Sequence, residues 1–294
     1  MDGRITYTVK KEDEGLSLGR LARQRMAVSA SLLRQIKWIP GGILLDGQEA
    51  YTNALPSAGQ VISLACGRDM GSENIIPQDG TVEVAYEDEL MLVVDKPGGM
   101  AVHPSPGHPY GTLANYIAGM FRRRGESIVF HAINRLDRGT SGLMCVAKTK
   151  YSAALLGAAL DRGDIRRSYY AVCLGAPQPP SGTIDAPIGR CEGYGIKRCV
   201  ASGGQHAVTH YRTIASNGRY SLVELELETG RTHQIRVHMA HIGCPLAGDF
   251  MYGEEIPGFD RVALHSRSID IILPDRRVHA ETPSPPCFSQ FVDL

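Results

Sequence analysis

The run INRLDRGTSGL, residues 133–143, sets one carboxylate, Asp137, between two guanidinium groups, Arg135 and Arg138, in a segment rich in turn residues. Opposite charges that close favour the ionised carboxylate. An ionised carboxylate suits a nucleophile or an electrostatic anchor better than a general acid, which must hold a proton. Gly139 and Gly142, with the hydroxyls of Thr140 and Ser141, are expected to turn the chain tightly and fix Asp137 just ahead of an apolar strand, LMCVAK. A surface loop with an ordinary Arg–Asp pair would contain the same residues, and such a pair is worth little energetically. Residue types alone leave both readings open.

Other groupings are weaker. His233, His238 and His241 have no acid or cysteine at convincing ligand spacing, so solvated or partner-facing histidines are expected and no metal. GTSG is not the G-x-S-x-G elbow, and the glycines of EGYG and SGG do not follow a strand as a phosphate cradle should. Glu224, Glu226 and Glu228 alternate with Val223, Leu225 and Leu227. That pattern reads as a half-buried strand with a solvated acidic row, not as a glycosidase's two carboxylates about a scissile bond.

The elements that must position Asp137 follow from periodicity. Leu18, Leu21, Ala22 and Met26 have helical spacing; a second helix, starting at Ser29 or Ser31, uses Leu32, Leu33 and Ile36 and stops at PGG, residues 40–42. ILL followed by Asp46-Gly47 signals a hairpin, VISL a closing strand, and the polar stretch 67–80 a linker. Beyond it, TVEVAYEDELMLVVDKP predicts two strands, and Thr112 caps a helix burying Leu113, Tyr116, Ile117 and Met120. Leu155, Leu156 and Leu160 mark another helix, RRSYYAVCLG a strand, and RTHQIRVHMAHIG a helix with Ile235, Met239 and Ile242 inward and Gly243 as its stop. Strands and helices do not alternate strictly, which argues for α+β over a doubly wound sheet.

The 294 residues suggest two units, and 43% hydrophobic residues with 33 glycines fit a folded, loop-rich chain. The N-terminus lacks the apolar core of a signal peptide, and no apolar run nears the roughly 18 residues of a membrane helix. Seven scattered cysteines without a C-x-x-C pair read as reduced thiols of a cytosolic protein. Formal net charge is zero, yet Gly15–Leu45 holds Arg20, Arg23, Arg25, Arg34 and Lys37 and no acid. Such a local basic face favours contact with RNA or DNA.

Taken together, NRLDRGTSGL resembles the H-R-L-D-x-x-T-S-G-L signature of pseudouridine synthases, in the branch typified by RluA and RluD. VVDKPGGMAVHPSPGHPYGTLANYI, RRSYYAVCLG, TGRTHQIRVHMAHIGCPLAGD and ALHS are similar to further family motifs in the same order, and the first seventy residues resemble an S4 RNA-binding module. The resemblance implies an S4-like α/β module over 1–75 and a catalytic domain over 76–294 with a mixed, mainly antiparallel sheet and flanking helices. It implies isomerisation of specific uridines in structured RNA, ribosomal RNA or else tRNA, with no cofactor. Asp137 becomes the essential carboxylate, attacking C6 of the base, attacking C1′, or helping remove a ribose proton. Arg236 becomes its ion-pair partner, Tyr169 the ring that stacks on the target base, and Tyr170 a core residue. Arg135 would displace the base as it is flipped out, a step that costs a few kcal/mol. Arg138, Arg231, His233 and Gln234 are expected to touch phosphate or base, and Arg20, Arg23, Arg34 and Lys37 to bind RNA through the module. Asn134 stands where the family has histidine and Gly139 where an acid is common, departures expected to alter the grip on RNA. A cytoplasmic monomer is expected. The rival is a non-catalytic RNA-binding or ribosome-assembly protein on the same fold.

Overall fold

The computed structural model describes residues 4–26, 28, 30–65, 75–193 and 195–292, with the backbone alone for Ser31 and Gln35. The first unit comprises strand β1 (Arg4–Thr8), helices α1 (Leu18–Gln24) and α2 (Ala30–Ile36), and strands β2 (Ile43–Leu45), β3 (Gln48–Glu49) and β4 (Val61–Ala65). Ser17 caps α1 by accepting from the Arg20 amide, and Leu18, Leu21 and Ala22 bury one helical stripe. Of the two starts expected for α2, Ser29 lies outside the described residues. Asp46 and Gly47 both adopt left-handed φ, 49° and 82°, which a two-residue hairpin between β2 and β3 demands. The four strands pair in the order β1-β4-β2-β3, and the helices close a core of their own with Ile36, Ile62 and Leu64.

Arg25 does not belong to the free basic face. Its Nε donates to Asp13 Oδ1 at 2.8 Å, while Tyr7 donates to Oδ2 at 2.5 Å. Arg20, Arg23, Arg34 and Lys37 are exposed, form no ion pair among the described residues, and line a depression of about 360 Å³. Most of the expected linker, residues 66–74, lies outside the described residues. From Ile75 the chain already packs on the second unit, with Asn115 Nδ2 donating to the Ile76 carbonyl at 2.8 Å.

That unit runs β5 (Glu83–Glu87), β6 (Met91–Lys96), α3 (Leu113–Arg123), β7 (His131–Ala132), β8 (Ser141–Ala147), α4 (Lys150–Asp161) and β9 (Ile165–Leu174). It continues with β10 (Ser181–Asp185), the hairpin β11 (Ile188–Arg190) and β12 (Arg198–Val200), then β13 (Val208–Ser216), β14 (Tyr220–Leu227), α5 (Gln234–His241), β15 (Leu264–Ile272) and β16 (Arg277–Glu281). Ten strands form one sheet, β10-β13-β14-β9-β15-β8-β6-β5, with β16 beside β15 and β7 beside β8. Only β15 and β8 pair in parallel among the described residues, so the sheet is mixed and mainly antiparallel, as expected. Period two places Leu92 and Val94 against α3 on one face, and Met91 and Val93 against α4 on the other. β8 is buried along its whole length.

Periodicity did not announce β10, β13, β15 or β16. The inward positions of β15 include His265 and Ser266, which break apolar alternation. The cysteines also differ from expectation. Cys191 and Cys199 form a disulfide across the β11–β12 hairpin, their Cα atoms 5.6 Å apart; the hairpin brings together two residues whose spacing carries no signal. Cys145, Cys173, Cys244 and Cys287 are free thiols.

Candidate active site

Asp137 sits in the turn that feeds β8, closed by the Thr140 amide donating to the Asp137 carbonyl at 3.1 Å. β8 and β9 lie either side of β15, and the register sets Ser266 between Gly142 and Tyr169. Gly142 has φ +106°, and a Cβ there would run into the Ser266 backbone, so the first turn of β8 needs glycine. Below the turn, buried Lys96 donates to the carbonyls of Pro97, Met100 and Arg138 at 2.9, 2.8 and 3.3 Å; burial pulls its pKa down to about 8. Arg261 donates to the Gly139 carbonyl and Ser141 Oγ at 3.2 and 3.0 Å. Ser141 Oγ also meets His265 Nδ1 at 2.9 Å, and burial lowers the His265 pKa to about 4, leaving a neutral ring.

The flanking arginines do not hold Asp137. Arg138 turns away and donates from Nε to the Gly99 carbonyl at 2.9 Å; Arg135 is exposed and makes no ion pair among the described residues. Side chains of consecutive turn residues point apart, so closeness in sequence does not become closeness in space. The partner is Arg236 of α5, whose Nη1 donates to Asp137 Oδ2 at 3.0 Å. Its other edge clasps Asp249, Nε to Oδ2 at 2.7 Å and Nη2 to Oδ1 at 2.8 Å. Asp249 is fully buried and also caps its own turn, accepting from the Met251 amide at 3.1 Å. Burial by itself would lower the Arg236 pKa, but the hydrogen bonds to Asp249 and the charges of both carboxylates raise it. One permanent cation thus serves two carboxylates.

Tyr169 and Tyr170 fall on opposite faces of β9. Tyr169 is 3% exposed and lines the recess with Asp137 and Arg236, whereas Tyr170 packs beside Val172 and Leu222 under the Arg267 guanidinium. The recess, about 60 Å³, opens into a groove of about 890 Å³ that Arg135, Arg167, Arg198 and Arg231 border. His233 stands at the start of α5, its Nε2 3.7 Å from Asp137 Oδ2 and its Nδ1 2.8 Å from the Tyr252 hydroxyl. α5 itself begins at Gln234, later than the expected RTHQIRVHMAHIG helix.

Several expected contacts turn inward. Gln234 is buried; its Nε2 donates to the Val208 carbonyl and Thr209 Oγ1, and its Oε1 accepts from Thr229 and the Arg231 amide, so it braces α5 and has no amide group left for RNA. Asn134 is buried as well, accepting from the Cys145 amide at 2.8 Å. His238 is neither solvated nor RNA-facing: it is fully buried between Thr209 Oγ1 and the Ala186 carbonyl, each 2.9 Å away. Arg231 remains exposed, tied by Nε to the His206 carbonyl at 2.9 Å. In the acidic row Glu224 pairs with Arg212 and Arg267, and Glu228, just past β14, meets His210 Nε2 at 2.7 Å. Asp249, Tyr252, Arg261 and Lys96 escaped the sequence reading. Lys96 and Asp249 lie inside quoted motifs, DKP and LAGD, but nothing in their spacing says that they are buried.

A groove edged by arginines and ending in a carboxylate, its locked guanidinium and an aromatic ring suits a base-modifying enzyme acting on a polyanion. Residues 90–241 match the family model described as RNA pseudouridylate synthase, and the chain belongs to that family. It is an RNA pseudouridine synthase, an isomerase. The chain is 38% identical to a ribosomal large subunit pseudouridine synthase D of Xanthomonas campestris over 271 residues, 86% of this chain and 81% of that one. It is 37% identical to the RNA pseudouridine synthase YjbO of Bacillus subtilis, covering 88% and 93% of the two chains. Among solved structures, human RNA pseudouridylate synthase domain containing 1 superposes with a TM-score of 0.58 at 27% identity, over 71% of this chain and 86% of that one. The non-catalytic rival is not favoured.

Proposed function

We propose that the enzyme isomerises uridines of large-subunit ribosomal RNA, with Asp137 as its essential carboxylate. The observation that carries this reading is the 3.0 Å pair between Arg236 and Asp137 beside the Tyr169 ring, at the end of an arginine-edged groove. The pair holds the carboxylate in place at the end of the groove. Tyr169 receives the flipped uracil on its face, and Arg135, exposed and in no ion pair among the described residues, enters the stack in place of the base. Arg231 and His233 line the approach of the backbone and the target nucleotide, whereas Arg138, turned to the Gly99 carbonyl, stands outside it. The choice of ribosomal RNA rests on relatives named for the ribosomal large subunit. The unit over 1–75 is read as an S4-like module in which Arg20, Arg23, Arg34 and Lys37, in no ion pair among the described residues, hold RNA away from the cleft. We read the protein as a cytoplasmic monomer; no helix among the described residues is long and apolar enough to cross a membrane.

Isomerisation must free the hydrogen on uracil C5, so the test is tritium release from C5-labelled ribosomal RNA. Wild type should release tritium, whereas Asp137→Asn should release none and still bind RNA. Release by both proteins would mean that another carboxylate acts. Loss of binding together with release would end the division of labour between module and cleft.

A further inference from the structure

His233 occupies an unusual backbone position. Its φ of 60° is left-handed, shared among described non-glycine residues only by Asp46 in the hairpin turn. A residue with a Cβ is strained there, and strain of this kind persists where the surroundings hold it. What it achieves is an imidazole delivered from the first residue before α5 to the wall shared by recess and groove.

The tautomer follows from the hydrogen bonds. The Tyr252 hydroxyl accepts from the Arg198 amide at 2.8 Å and lies 2.8 Å from His233 Nδ1. Its single hydrogen has no other acceptor among the described residues, so it goes to Nδ1. Nε2 must then carry the ring hydrogen. The opposite tautomer would strand the tyrosine hydrogen and aim a bare nitrogen lone pair at Asp137 Oδ2, 3.7 Å away. Burial lowers the His233 pKa, although Asp137 opposes it, and burial raises that of Tyr252; the ring is neutral and the phenol protonated. At 3.7 Å the Nε2–H is too far from Oδ2 for a hydrogen bond, so the donor is uncommitted beside the Asp137 carboxylate.

The geometry points to a specific role that rests on the reading of Asp137 above: His233, set by Tyr252, donates its Nε2–H to a carbonyl oxygen of the target uracil. A phosphate in that place would put a second anion against Asp137, whereas a carbonyl is neutral on arrival. Whether Asp137 attacks C6 or C1′, or a glycal forms, electron density moves onto the uracil carbonyls. A fixed donor there stabilises that charge as it develops. Tyr252 is then a positioning residue, acting through the imidazole.

Three measurements test this. In nitrogen-15 spectra of histidine-labelled protein at neutral pH, with His233 assigned by its loss in His233→Gln, the ring should show the Nε2–H tautomer, and Tyr252→Phe should release it. An Nδ1–H ring or an imidazolium overturns the proposal. In tritium release from a large-subunit ribosomal RNA transcript, His233→Ala should lower kcat about 10²-fold with KM nearly unchanged, the scale for removing one preorganised donor. His233→Gln, which keeps an N–H, should recover part of the loss. His233→Gly should resist urea at least as well as wild type, because glycine is at ease at that φ, and yet lose activity; a change in KM alone overturns the proposal. Finally, transcripts carrying 2-thiouridine or 4-thiouridine, whose sulfur accepts hydrogen bonds poorly, are assayed by nucleoside chromatography. One of the two should slow wild type yet leave His233→Ala unaffected; equal sensitivity of both proteins overturns the carbonyl contact. If wild type fails on the unmodified transcript, the choice of ribosomal RNA falls, and the tautomer result still decides the Tyr252–His233 arrangement.

Discussion

Arg236 has five N–H groups and spends three of them on carboxylates that differ in exposure. Asp249 is fully buried, while the Asp137 side chain keeps 30% of its surface. The buried carboxylate therefore aims the guanidinium, and the guanidinium holds Asp137. Asp249→Asn preserves shape but removes the charge that Arg236 was built around. Breaking a buried pair by neutralising one partner costs about 3–5 kcal/mol. The freed guanidinium should also let Asp137 drift, and misplacement of about 1 Å lowers kcat by about 10²-fold. Urea unfolding and tritium release at saturating RNA measure the two effects separately; a normal kcat in a destabilised variant would reduce Asp249 to a fold residue. The motifs single out Asp137, Tyr169 and Arg236 by their fixed places, and the structure brings the three to one recess. The flanking Arg135 and Arg138 do not hold Asp137; Arg236, 99 residues away, does. Gln234 misled for a related reason, since the sequence does not say which polar residue of a helix's first turn faces inward.

At the scale of elements, the site depends on how closely β8 approaches β15. These strands run in parallel at Ser141 and Gly142, opposite His265 and Ser266, and the approach leaves no room for a Cβ at position 142. Gly142→Ala combines an unfavourable φ with overpacking against backbone, which together cost about 2–4 kcal/mol. Gly139→Ala is the control. No left-handed φ is recorded there, and its Cβ would press on Val262 Cγ1 at 3.1 Å, a side-chain atom that can shift. Thermal unfolding should show a fall of several degrees for the first and little for the second; equal falls would mean that crowding near the turn, not the β8–β15 approach, sets the site. Strands such as β6, β8, β9 and β14 were legible because apolar runs or strict alternation mark them. β13 and β15 were not, because their inward positions carry Thr209, His265 and Ser266, whose burial rests on hydrogen bonding and packing that only the assembled sheet supplies. The hairpin of β11 and β12 was invisible too, yet its Arg198 amide is what Tyr252 answers.

Over the whole molecule, a net charge of zero gives no sign of an RNA partner, and the structure explains why it misleads. Many acids are consumed locally: Glu87 by Arg124 and Lys148, Asp88 and Glu89 by Arg276, Glu224 by Arg212 and Arg267. Other cations line the groove and the first unit, where Arg20, Arg23, Arg34 and Lys37 form no ion pair among the described residues. If those four meet phosphates, replacing all of them by glutamine should reduce the slope of log affinity against log salt by about 3, at about 0.7 per single-stranded contact. Over a fourfold rise in salt, that difference amounts to about 50-fold in affinity. Filter binding at several salt concentrations reads the slope, and tritium release reads the chemistry, whose kcat at saturating RNA should not move. Arg25→Gln separates charge from fold. It removes a cation of the same stretch, but one already bonded to Asp13, so it should weaken the unit and leave the slope near wild type. A quadruple variant with an unchanged slope would assign RNA binding to the groove alone. A slope that fell equally with Arg25→Gln would show that any loss of positive charge matters, and that this face is no site.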